Sequence, residues 1–224
     1  MIDLQPFWLS FKLAIITSVI LFIIAVPLAY WIAYSKFRYK AVIEAILSLP
    51  LILPPSVLGF YLLVAFSPEN AFGTFLDKYF DLQLVFTFEG LVVASVIYSL
   101  PFMINPILAG FKNLPPSLQE ASFTLGKSKF TTLIKIILPN IRASLLTGII
   151  MTFAHTVGEF GVVLMVGGSI PTKTKVVSIA IYDEVESMNY HNANVYALIL
   201  FVFAFLILLS VHLINTNSSK TRLY

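Results

Sequence analysis

Residues 120–139 read EASFTLGKSKFTTLIKIILP, a lysine-bearing segment set between two long apolar stretches. In so apolar a chain, a structured polar island has to meet something outside a bilayer. Outward from it, runs of about eighteen or more residues with few charges mark candidate membrane-spanning helices. They fall at 7–34, 41–66, 89–111, 141–166 and 194–214. The expected fold is therefore an all-α membrane protein with five transmembrane helices. Little of the 224 residues is left over, so 1–224 reads as one transmembrane domain, with the island in a loop at about 112–140.

Composition agrees. Apolar residues make up 58% of the chain and charged residues 11%, with mean hydropathy +0.92. Soluble domains carry about a quarter charged residues. There is no cysteine, which excludes disulfides and thiolate chemistry. The first run lacks a basic start and a small-residue cleavage site, and it is too long for a signal peptide. It reads as a retained first helix.

Charge alternates between connecting segments. Lys36, Arg38 and Lys40 follow the first run. Glu69, Asp77 and Asp81 outnumber Lys78 after the second. Lys112, Lys127, Lys129, Lys135 and Arg142 outnumber Glu120 after the third. Lys173 and Lys175 stand with Asp183, Glu184 and Glu186 after the fourth, and Lys220 and Arg222 lie in the tail. Cytoplasmic loops retain Lys and Arg. The N-terminus is thus expected outside, and the C-terminus and the island inside. The pI near 9.0 reflects this topology, and no pattern of basic and aromatic residues calls for nucleic acid.

Prolines interrupt the spans: Pro27 in the first, Pro50, Pro54 and Pro55 in the second, Pro101 and Pro106 in the third. Each removes a donor and crowds the preceding turn. The freed carbonyls need a partner from protein or water, so breaks are expected where these helices face one another or a wet path. Two readings stand for Pro54-Pro55, a translocation gate or a packing kink. A packing kink is the reading for Pro27.

Within the island, Ser117-Leu118-Gln119-Glu120 fits a capping box. Leu118, Ala121, Ser122 and Leu125 share a helical face. Gly126 fits the position just past a helix end. The expectation is a short helix, too short to be stable alone and in need of a docking partner. Ile136, Leu138 and Pro139 then return the chain to the membrane. Residues 121–128, A-x-x-x-x-G-K-S, loosely imitate a phosphate-binding loop. Such a loop follows a buried strand and opens a helix, whereas this one follows Leu114-Pro115-Pro116 and contains only Gly126. The nucleotide reading is rejected.

His155, Gly158, Glu159, Phe160 and Gly161 lie within or at the outer part of the fourth run. An ionisable residue at membrane depth is a functional candidate by default. His155 and Glu159 share a helix face and are expected to pair, or one of them bonds the broken second span. A structural role is preferred to contact with cargo, because an ionised glutamate would repel an anion. Gly158 and Gly161 permit close approach or a bend. Beyond them, Lys173 and Lys175 read as a solvated loop or as a weak funnel for an anion. Residues 176–185 are amphipathic enough to lie at the membrane surface. His155, His191 and His212 are far apart, no His/Glu spacing marks a metal site, and no Ser or Thr stands by a partner His.

Three blocks carry a resemblance: Leu49-Pro50-Leu51-Ile52-Leu53-Pro54-Pro55 with Gly59, the 120–139 segment, and Gly158-Glu159-Phe160-Gly161 followed by Ile170-Pro171. The pattern E-A-x-x-x-x-G, nine residues, then I-x-L-P resembles the cytoplasmic loop of ABC importer permeases. Together the blocks resemble molybdate permeases, and sulfate permeases carry related ones. Ser122 stands where the family often has alanine.

The resemblance implies a type I ABC importer permease in a bacterial inner membrane, built as a homodimer around a central pathway. It implies cytoplasmic ATP-binding subunits that hold ATP and Mg, an extracytoplasmic oxyanion-binding protein, and no cofactor on this chain. Ser117, Glu120, Ala121, Ser122, Leu125, Gly126, Ile136, Leu138 and Pro139 would couple to the ATPase, with Glu120 orienting the helix through its cap. Pro54, Pro55, Gly59, His155, Gly158, Glu159 and Gly161 are the pathway or gate candidates. The alternatives are a sulfate or tungstate importer, a secondary transporter, or a structural membrane anchor. The absence of an internal repeat argues against the secondary transporter.

Overall fold

The computed structural model describes the backbone of residues 2–220 and side chains through residue 209. Among these residues there is no strand. The helices are α1 (Gln5–Tyr34), α2 (Lys40–Ser48), α3 (Pro55–Phe66), α4 (Ala71–Phe80), α5 (Phe88–Lys112), α6 (Pro116–Thr124), α7 (Lys129–Thr132), α8 (Leu138–Asn140), α9 (Arg142–Gly158), α10 (Gly161–Gly167), α11 (Val177–Glu186) and α12 (Tyr190–Lys220). A 3₁₀ turn at Leu49–Leu51 follows α2, and a π turn at Leu133–Ile137 joins α7 to α8. The side chains of His212 and Lys220, and all of Arg222, lie outside the described residues.

Among the described residues, three helices are long and apolar enough to cross a membrane: Gln5–Tyr34, Phe88–Lys112 and Tyr190–Leu209. Two bent pairs complete five candidates. Lys40–Leu51 meets Pro55–Phe66 at 104°, and Lys129–Asn140 meets Arg142–Gly158 at 73°. The second apolar run, 41–66, is therefore two helices at nearly a right angle. The fourth, 141–166, breaks at Glu159-Phe160 into α9 and α10, and the helix bent against α9 belongs to the island itself.

The prolines sort by context. Pro27 lies inside α1, and Pro101 and Pro106 lie inside α5, with the helices continuous around them. The break expected in the third span does not occur, and around Pro27, read as a packing kink, the helix is unbroken. A lone proline costs one amide donor, and long flanking turns hold the backbone. At Pro54-Pro55, two successive residues each precede or carry a proline ring, which disfavours helical ψ. Pro54 accordingly adopts ψ 137°, and α3 restarts with Pro55 in its first turn.

Packing rests on α1, α5 and α9. The buried face of α1 runs Leu13, Thr17, Leu21, Ala25, Ala29 and Ile32, three to four residues apart. Small residues on this stripe let α5 approach, which matters where lipid removes the hydrophobic drive between helices. Near the island end, Leu21, Ala25, Ala29 and Ile32 meet Met103, Ile104, Ile107 and Phe111 of α5, with Ile137 and Ile141. Toward the other end, Leu9 and Leu13 meet Leu91, Val163, Val176 and Ile179. Between these clusters lie the buried hydroxyls of Thr17, Ser18, Ser95, Ser99, Thr152 and Thr156.

The connections hold two further findings. α4, a helix in a segment expected only as a connection, is opened by Asn70, whose side chain accepts from Phe72 N–H at 3.2 Å. α11, expected at the membrane surface, buries Val177, Ile179 and Ala180 in the protein. Ser10 Oγ accepts the Val177 amide at 2.9 Å and so closes α11 onto α1.

Candidate coupling site and helix crossing

The island folds as a hairpin of α6 and α7. α6 is not opened by a capping box. Pro115 occupies the N-cap position and Pro116 the first turn, where the missing donor costs nothing. Ser117 lies inside the first turn and Glu120 beyond it, so neither caps the helix, and the Glu120 carboxylate makes no hydrogen bond or ion pair within the described residues. What Glu120 does offer is its carbonyl, which accepts from Thr124 Oγ1 at 2.9 Å.

Gly126 behaves as its position requires. Its φ of +70° suits the left-handed end of α6. Gly126 N–H reaches Phe123 O at 2.9 Å, and Lys127 N–H reaches Ser122 O at 3.1 Å. This pair of bonds satisfies two orphan carbonyls in a Schellman motif. Gly126 thus ends one helix, and Ser128 opens the next by accepting from Thr131 N–H at 3.2 Å. Helices α5 and α6 precede the Gly126-Lys127-Ser128 turn.

The face foreseen for Leu118, Ala121, Ser122 and Leu125 is divided. Ser122 is buried, and its hydroxyl meets Thr132 Oγ1 at 2.8 Å. That bond holds α6 to α7, and Thr132 in turn donates to Ser128 O at 2.9 Å. Leu118 is half-buried, while Ala121 is exposed. The outward apolar surface consists of Phe123, Leu125 (75% exposed), Phe130 (74%) and Ile134. Lys127 and Lys129 are exposed at the turn between its two halves. Phe123, Phe130 and Ile134 escaped the sequence reading, although Phe130 and Ile134 stand four apart. In the I-x-L-P element the buried anchor is Ile137, the unspecified position. Ile136 and Leu138 are half-buried and Pro139 is exposed.

The second site is the crossing of α3 and α10. A Cβ built on Gly161 would stand 2.6 Å from Pro55 Cβ, and one on Gly59 would stand 2.9 Å from Met165 Cβ. Pro55, Gly59 and Gly161 therefore meet in one seam, with Pro54 exposed at its elbow. Gly158 lies apart, with nothing near its Cβ direction.

Glu159 and His155 do not bond one another. Glu159 is buried, and its Oε1 accepts the Val162 amide at 2.8 Å, capping α10 across the break. Its carbonyl accepts from Ser178 Oγ at 2.5 Å. The helix break is satisfied by its own neighbours, not by the second span. His155 Nδ1 lies 3.3 Å from Ser99 Oγ, between the rings of Tyr98 and Phe102. Outside the bundle, Lys175 is locked to Asp183 at 2.6 Å and Asp183 also accepts from Ser169 Oγ at 2.7 Å. That pairing fits a structured loop better than an open funnel.

Apolar helices, broken at glycine-proline seams and carrying a polar hairpin with an apolar surface, define an integral-membrane transport component. Residues 25–222 match the family model described as binding-protein-dependent transport system inner membrane component, and the chain belongs to that family. It is 44% identical over 211 residues to the molybdenum transport system permease protein ModB of Azotobacter vinelandii, covering 94% of this chain and 93% of that one. The sulfate transport system permease protein CysT of Escherichia coli K12 is 28% identical, over 92% of this chain and 74% of its own. In fold the chain is similar to a solved structure of the MetNI methionine ABC transporter in inward-facing conformations. The TM-score is 0.72 and the identity 16%, over 94% and 93% of the two chains. The architecture is that of a type I ABC importer permease, and the chain is a transport component rather than an enzyme.

Proposed function

We propose that this chain is the permease subunit of an ATP-driven importer whose cargo is molybdate, with sulfate or tungstate as the alternative. The observation that carries the coupling role is the α6–α7 hairpin, folded by its own hydrogen bonds yet presenting Phe123, Leu125, Phe130 and Ile134 outward. Apolar side chains on a polar hairpin fit a protein partner. The similarity to ModB favours molybdate, and the more distant CysT keeps sulfate as runner-up.

In this reading two copies form a homodimer around the pathway, N-terminus outside and C-terminus inside. Each hairpin seats on an ATPase that holds ATP and Mg, and this chain binds no cofactor. A binding protein delivers the oxyanion from outside. Movement of the hairpin reaches the spans through Ile137 and Ile141, which are buried against α1 and α5. The Pro55–Gly59–Gly161 seam is then where α3 and α10 shift as the pathway opens.

The test is uptake of labelled molybdate into vesicles containing the permease, its ATPase and its binding protein, with excess sulfate as competitor. ATP-dependent uptake that resists sulfate supports the proposal. Uptake abolished by sulfate moves the cargo to sulfate. Uptake of either anion without ATP overturns the importer reading.

A further inference from the structure

At the island end of α1, the connection to α2 reads Lys36-Phe37-Arg38-Tyr39-Lys40. Among the described residues the ion pairs are Lys112–Glu44 and Lys175–Asp183, so these three cations have no carboxylate partner. They are not seated on aromatic faces either. Phe37 and Tyr39 are exposed beside them, with the Trp31 ring tilted against Phe37 at 6.0 Å between centroids.

α2 continues the pattern. Ile43 and Leu47 pack on the bundle core. Glu44 is drawn to the same side by Lys112, at 2.8 and 2.9 Å. Val42, Ile46 and Leu49, spaced four and three apart, form a second apolar stripe that faces outward. The helix is turned by 104° from α3. At 104°, α2 and α3 cannot both stand along the membrane normal; α2, tied to Lys112 at the island end, is the one placed near the membrane plane.

We infer that Lys36, Arg38 and Lys40, with the outward stripe of α2, form a seat for anionic phospholipid on the inner leaflet. An interfacial helix sinks its apolar side to the headgroup boundary while cations meet anionic headgroups. Aromatic rings suit that depth. Exposed Trp31 of α1 stands beside Phe37 in the same connection, and the unpaired charge of the three cations is complementary to phosphate. The Glu44–Lys112 tie joins the seat to the end of α5 just before α6. The inner-leaflet assignment rests on the orientation proposed above.

The absence of cysteine allows a clean test. An Ile46→Cys permease is labelled with a fluorophore, assembled with its ATPase and placed in nanodiscs containing brominated phosphatidylglycerol or brominated phosphatidylcholine. The expected result is preferential quenching by phosphatidylglycerol, by roughly fivefold for each engaged cation. A background of Lys36→Gln, Arg38→Gln and Lys40→Gln abolishes the preference but not the quenching. A label at Leu198→Cys, on the exposed face of α12, shows no preference in either background. Equal quenching by both lipids at Ile46 overturns the seat. Protection from both lipids also overturns it and assigns the stripe to a second protein copy. A separate Ser35→Cys variant is probed with an impermeant thiol reagent in right-side-out vesicles. Labelling there overturns the orientation and the inner-leaflet assignment, leaving the quenching result to judge the lipid seat alone.

Discussion

The α3–α10 crossing and the α6–α7 hairpin are both interruptions of helix, and they are finished in opposite ways. At the crossing the contacts are made inside the chain: Gly161 receives Pro55, Glu159 caps Val162, and Ser178 donates to the Glu159 carbonyl. At the hairpin the backbone is equally well satisfied, but Leu125 and Phe130 are left three-quarters exposed. In membrane surroundings a backbone break must be buried in protein or line a wet cavity. On the hairpin no such rule forces apolar side chains inward. The difference separates a seam closed within the chain, along which two helices can shift, from a surface built to be covered.

That comparison can be broken most severely at the seam. Gly161→Ala places a methyl against Pro55 and should cost about 3 kcal/mol, at the upper end of overpacking penalties. Thermal unfolding in detergent would register a clear loss, and an unchanged midpoint would mean α3 and α10 do not cross as described. Glu159→Ala should cost about 2 kcal/mol, because the buried Val162 amide loses its acceptor. Glu159→Gln keeps an acceptor oxygen and should recover much of that stability. Equal losses in the two variants would point to charge, not capping, as the function of Glu159.

Milder changes sharpen the other side of the comparison. Gly126→Ala should lower stability by about 1 kcal/mol through its left-handed φ and leave the fold intact. Glu120→Ala should leave the melting midpoint unchanged, since the carboxylate has no partner within the described residues. Reduced ATPase binding in that variant would assign Glu120 a contact with the partner, and loss of the fold would contradict its position here.

Much of this architecture was legible because hydropathy and charge act over long windows. The five apolar runs, the Gly126 helix end and the break at Pro54-Pro55 all follow from local rules. The errors arose where one residue had two ways to be satisfied. Ser117 resembled a cap, but Pro116 had already claimed the first turn. Ser122 shared a helical stripe with Ala121, yet a hydroxyl on Thr132, ten residues away in the chain, drew it inward. His155 and Glu159 had the spacing of a pair, but an amide of α10 and a hydroxyl of α5 reached their side chains first. Such partners are set by tertiary packing, which spacing along one helix does not report. The roles of the coupling and gate residues rest on the proposal above, and the geometry supplies their positions.

The most direct test of the central claim uses Leu125→Asp combined with Phe130→Asp. Both side chains are exposed, so the melting midpoint of the isolated permease should stay within error. Binding to the ATPase should weaken by roughly thirtyfold or more, as when a buried interface anchor of about 2 kcal/mol is lost. ATP-driven oxyanion uptake should fall with it. Full ATPase binding and full uptake in a correctly folded double variant would contradict the account.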